Sequence, residues 1–243
     1  MKLGAGMKGQ LAFAVAMLFA APVGAQTAPA KATAAPPSAT KPCDPVAPEI
    51  GANGDPIYTG CQIRTLGGTL PKLASAPEEP DLTSLYQRGI QGGIIFDIVI
   101  GKDGRAHNVT VKVSSRSPEL DAIGLDIVNR SVFSPATDRD GKPIDVKAVY
   151  PTYFWKDSIG KDEFTNKRCD QFLIDTAWHQ NNFPEEKPEQ YRGWLLITGL
   201  LFANSVQTGK LKKNLDLPTY SQVVETCKSN PGEPFIAAVL GKP

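Results

Sequence analysis

The sequence predicts an α+β protein: a β-β-α-β unit followed by a small all-α unit tied by a disulfide. Three observations point there. Residues 93–100, GIIFDIVI, and 106–113, AHNVTVKV, flank an Asp103-Gly104 turn, the pattern of a β-hairpin. Residues 117–131 open with Ser-Pro and then space apolar side chains as a helix does. Beyond residue 162, aromatic and aliphatic residues recur in proline-bounded blocks that contain Cys169 and Cys227.

The chain opens with Lys2 and Lys8, then the apolar run LAFAVAMLFAA at 11–21, then Val23-Gly24-Ala25. This is the layout of a secretory signal peptide, residues 1–25, cut after Ala25, so the mature protein is expected to be exported. The alternative is an uncleaved anchor in the inner membrane. Leu11 to Ala25 reaches about 22 Å as a helix, short of a ~30 Å hydrocarbon core, and Pro22 interrupts it. Residues 26–42, QTAPAKATAAPPSATKP, hold no large apolar side chain and read as an extended linker. Residues 43–80 are rich in Gly and Pro, and a loop-dominated segment is expected there. An exported chain favours disulfides. The four cysteines allow three connectivities, and the wide gap between the second and third favours Cys43–Cys61 and Cys169–Cys227. Closing the second loop contributes roughly 4 kcal/mol on the chain-entropy model.

Residues 81–156 form the expected β-β-α-β unit. In the second strand Val109, Val111 and Val113 alternate with Asn108, Thr110 and Lys112. Ser117 suits an N-cap and Pro118 the first helical position. Glu119 and Asp121 fall where the helix dipole favours them. Leu120, Ile123, Ile127 and Val128 share one face, so the helix runs over 118–131. The turn Asp140-Gly141-Lys142-Pro143 leads into IDVKAVYPTYFW, where Val146, Ala148 and Tyr150 alternate with Asp145 and Lys147 as a third strand. In 162–243, helices are expected over 162–181, 189–208, 219–228 and 233–240; the first carries Phe164, Phe172 and Leu173, and the second, with Tyr191, Trp194, Leu195, Leu201 and Phe202, is expected to be central.

With 26 basic and 25 acidic residues, the chain has no basic footprint for nucleic acid. Ser114, Ser115 and Ser117 lie near carboxylates, but a serine hydrolase needs a base in reach. The two histidines are His107 and His179, and neither GxSxG nor SxxK occurs. The serines are expected to end a strand and cap a helix. His179 is expected at a helix end, and Glu185 and Glu186 in a solvated, proline-bounded turn. No phosphate loop or metal-ligand spacing is present, so no catalytic, cofactor or metal residues are assigned and the protein is not expected to be an enzyme. What stands out is the third strand. A three-stranded sheet leaves one side of it for an added peptide, for the helical unit or for a second copy of the chain.

From Gly89 to Phe154 the sequence resembles the TonB C-terminal domain. The shared features are Gly89–Gly92, the Asp103-Gly104 turn, Ser114-Ser115, Leu120-Asp121, Phe133 with Pro135-Ala136, Gly141-Lys142-Pro143 and a last strand. The resemblance implies a periplasmic domain that contacts an outer-membrane receptor or another envelope protein, whose extended TonB box pairs with that last strand. On this basis Asp145, Val146, Lys147, Ala148 and Val149 form the docking edge. It also implies a link to an inner-membrane motor and to TonB-dependent transport. The C-terminal part more weakly resembles the HdeA-like superfamily, through Cys169-x-x-Phe172-Leu173, Trp194 and Cys227-x-x-Asn230-Pro231. That resemblance implies an alternative: an acid-stress chaperone, or an inhibitor or immunity-type protein, acting through the helices.

Overall fold

The computed structural model describes residues 47–158, 164, 166–207 and 218–240. The signal peptide, linker and Cys43 lie outside the described residues. The chain from Cys43 onward is one compact unit, and it holds two buried apolar clusters.

The sheet begins earlier than the sequence predicts. Short strands β1 (Glu49–Ile50) and β2 (Pro56–Thr59) precede helix α1 (Gly60–Thr65), strand β3 (Lys72–Ser75) and helix α2 (Thr83–Gln87). The hairpin follows as β4 (Gly92–Ile100) and β5 (Ala106–Val113), then helix α3 (Pro118–Arg130) and short strands β6 (Val132–Ser134) and β7 (Ala136–Thr137). The long strand β8 (Pro143–Phe154) completes this part. The main sheet runs β1-β2-β8-β4-β5, β7 also pairs with β8, and β3 pairs with β6. Short elements thus punctuate the described part of 43–80, the segment expected to be loop-dominated. PIYT is too short for a local strand signal, and its hydrogen-bond partner lies far along the chain. Cys61 is disulfide-bonded.

Hairpin, helix and last strand form for the local reasons the sequence gives. Gly104 takes φ +73° between β4 and β5, and its N–H reaches the Gly101 carbonyl at 2.9 Å, a turn that L side chains resist. On α3, Ser117 Oγ accepts from the Leu120 amide at 3.3 Å and Pro118 holds the first position. Ile94, Phe96, Ile98 and Ile100 of β4 all point inward against Leu120, Ile127 and Val128 of α3. Each such side chain, fully buried, contributes roughly 1.5–3 kcal/mol.

Beyond β8 lie helices α4 (Cys169–Asn182), α5 (Arg192–Gln207), α6 (Tyr220–Ser229) and α7 (Phe235–Leu240), with a 3₁₀ turn at Pro188–Gln190. Of the segment 162–168 expected to start the first helix, Phe164 and residues 166–168 are described, and α4 itself starts at Cys169. Phe172 stacks on Phe235 at 4.3 Å, and Trp194 meets Tyr220 edge-on at 5.5 Å. Cys169 and Cys227 are bonded, which ties α4 to α6. The helices also touch the β-β-α-β region. A Cβ on Gly89, whose φ is +80°, would stand 2.9 Å from the Asp175 Cα of α4, so the first glycine of the Gly89–Gly92 motif is where helix backbone approaches closely. Gln171 Nε2 donates to the Tyr86 carbonyl at 2.9 Å, and Arg116 pairs with Glu185 at 2.8 Å.

Candidate functional site: the last strand and its outer face

The expected docking edge, Asp145 to Val149, divides in two. β4 pairs with β8 from Val146 to Phe154. On the far side β2 runs parallel to β8, with Ile57, Tyr58 and Thr59 opposite Asp145, Val146 and Lys147. The chain's own strand thus occupies the first three residues of the expected edge. The third strand is the middle of the sheet there, not its border. α1 continues from β2 and packs against β8. From Ala148 to Phe154, no strand lies on that side among the described residues.

Pro151 says which backbone groups face the open side. It stands opposite Ile95 of β4. A proline has no N–H to give, so its nitrogen belongs away from β4. The pleat turns the backbone groups of Val149 and Tyr153 the same way. A visiting strand would meet the N–H and C=O of these two residues, with only a carbonyl at Pro151. The side chains of Val149 and Tyr153 are 56% and 60% exposed, whereas Val146 on the opposite face is buried.

Those exposed side chains share the outer face with Ile95 and Val113. Near Tyr153 the face becomes a groove of about 290 Å³, lined in part by Gly93, Ile95, Tyr153, Trp155, Trp178 and Phe183. Arg192 stacks its guanidinium on Trp155 at 4.8 Å. Toward the other end the face is polar. Lys147 pairs with Glu49, and Lys112 with Asp97 at 3.0 Å.

The serines take structural roles. Ser114 Oγ donates to Asp121 Oδ2 at 2.5 Å, and Ser115 Oγ donates to Asp121 Oδ1 at 2.7 Å. Asp121 therefore fastens the end of β5 to the first turn of α3, a role beyond the dipole position expected of it. His107 is engaged by Asp103 at 3.1 Å, not by a serine. His179 stacks on Phe183 at 5.0 Å and lies 3.2 Å from Glu186. Burial holds its pKa below the usual histidine value, against the pull of Glu186 and Glu185. The two glutamates stand in the exposed turn expected of them, and from there reach Arg116 and His179. Among the described residues no cluster of His, Cys, Asp and Glu fits a metal, and no helix is long and apolar enough to cross a membrane.

One assembly has no counterpart in the sequence reading. Lys167 lies between Asp157 and Asp175, and all three side chains are buried. Tyr191 and Gln91 complete it. Gln91 belongs to the Gly89–Gly92 motif, the one sequence signal near it. Nothing local marks the two aspartates as partners.

Open backbone, apolar side chains around it and ion pairs at its border make up the candidate site. Residues 84–155 match the family model described as Gram-negative bacterial TonB protein C-terminal. The similarity runs from within α2 to just past the end of β8. No curated protein matches the chain.

Proposed function

We propose that this is a periplasmic TonB-like protein that takes an extended segment of an outer-membrane receptor, or of another envelope protein, as an added strand along β8. One observation carries this reading: among the described residues Ala148–Phe154 has no strand partner on one side, and exposed Val149 and Tyr153 flank the opening. Backbone hydrogen bonds would supply affinity there, and alternate side chains specificity. The family match supports a protein partner and an envelope setting. A part in TonB-dependent transport follows if the partner is a transporter. The test is a titration of the isotope-labelled chain with a peptide carrying a receptor TonB box. Amide shifts should concentrate at 148–154 and weaken in a Val149→Asp variant. Unmoved amides along that stretch would remove the proposal.

The second reading places the activity in the helices, as a chaperone or inhibitor. Leu195 and Phe202, seven residues apart on α5, are exposed and fall on one face. If this is right, the protein suppresses aggregation of a client somewhere between roughly pH 2 and 7, and a Leu195→Ser, Phe202→Ser double variant does not. Equal suppression by both proteins would exclude that face.

A further inference from the structure

The joint between the β-β-α-β region and the helices contains more negative than positive charge, and none of it reaches water. Asp157 follows β8, Lys167 precedes α4, Asp175 lies within α4, and Tyr191 precedes α5. Lys167 Nζ contacts Asp157 Oδ1 and Asp175 Oδ2, and it donates to the Tyr191 hydroxyl at 2.9 Å. The Tyr191 hydroxyl donates to Asp157 Oδ2 and lies 3.2 Å from Asp175 Oδ2. Gln91 Nε2 donates to Asp157 Oδ2 at 3.1 Å, and Gln171 Nε2 to Asp175 Oδ1 at 2.6 Å. Other charged groups nearby do not restore the balance. Arg192 turns its Nε to the Asp157 backbone carbonyl at 2.9 Å, and its guanidinium rests on Trp155. His179 sits against the Tyr191 ring at 5.8 Å and faces Glu186, while Glu185 is held by Arg116.

Two carboxylates therefore share one ammonium in a joint buried from solvent. Like charges so placed disfavour joint ionisation, and buried ions without full compensation are costly. We propose that this joint is a proton-linked latch: on mild acidification Asp175 takes up one proton, and the helices are then held more tightly to the sheet. The geometry gives that proton a place. A protonated Asp175 Oδ2 can donate to the Tyr191 oxygen, Tyr191 can continue to donate to Asp157, and Lys167 is left with Asp157 as a one-to-one pair. The Asp175 pKa agrees in direction. Burial raises it above its ordinary 3.8, against the pull of Lys167 and with a smaller push from Asp157. A carboxyl whose folded pKa is raised takes up its proton at a higher pH folded than unfolded. Its contribution grows as pH falls through the folded pKa, and it is complete below the unfolded value. This is opposite to a carboxylate held by a salt bridge, which loses its contribution on acidification. An acid-opened joint, which a chaperone released by acid would need, is not what this geometry provides.

The test uses the full chain. Carbon-13 carboxyl shifts of Asp175 should titrate with a midpoint above 3.8 in the folded protein. Urea midpoints of wild type relative to Asp175→Asn should rise as pH is lowered from neutral to below the unfolded value of 3.8, because the variant is fixed in the uncharged form. A tenfold change in the folded-to-unfolded ratio corresponds to each unit of displacement. Parallel urea profiles for the two proteins, or an Asp175 midpoint at or below 3.8, would overturn the latch. The carboxyl titration needs no variant, so it decides the matter even if Asp175→Asn does not fold.

Discussion

The β-β-α-β region and the helical region hold themselves together differently. In the first, β4 and β8 pair along their lengths, and isoleucines from alternate positions fill one face against α3. Most of its charged pairs are at the surface, as with Arg88–Glu119 and Lys112–Asp97. The helical region has short elements, an aromatic centre around Phe172, a disulfide and a buried charge cluster at its base. Helices of this length are marginal alone, so the region relies on a covalent tie and on its joint to the sheet.

Substitutions can break this contrast, and the largest effect belongs to the joint. Lys167→Met leaves Asp157 and Asp175 buried without a cation, and is expected to cost about 3–5 kcal/mol at neutral pH in urea unfolding. Reducing Cys169–Cys227 should cost about 2–4 kcal/mol. Hydrogen exchange should then quicken in α4 and α6 while β4 and β8 amides stay protected. Equal loss in both regions would mean that they unfold as one. Within the sheet region, a Cβ on Gly124 of α3 would stand 2.6 Å from Ile94 Cδ1. Gly124→Ala should cost roughly 1–3 kcal/mol by overpacking, read as a lower thermal midpoint. The smallest effect is at the surface. Glu119→Gln removes the partner of Arg88, both side chains being more than half exposed, and no measurable change in the urea midpoint is expected.

The hairpin, α3 and β8 were legible because each is set by neighbours in sequence: an Asp-Gly turn, a Ser-Pro cap, alternation by two or by three and four. The helical blocks were legible for the same reason, and the Cys169–Cys227 pairing was legible from the wide gap between Cys61 and Cys169. Those signals are absent at the docking edge. The open edge was expected to begin at Asp145, and it begins at Ala148, because PIYT pairs with β8 from about ninety residues away. Glu185 and Glu186 lie in a solvated turn as expected, but their partners Arg116 and His179, which come from other elements, were not legible.

The sequence by itself determined the fold class, the β-β-α-β order and the family signature, all of which rest on local periodicity and turn chemistry. Only the tertiary structure decided how much of the last strand is open and where the buried charges meet. Backbone pairing between distant segments, and the compensation of Lys167 by two carboxylates from separate elements, are contacts that sequence spacing does not encode. Their energies depend on which groups lose water together, and that is fixed only when the sheet and the helices close on one another.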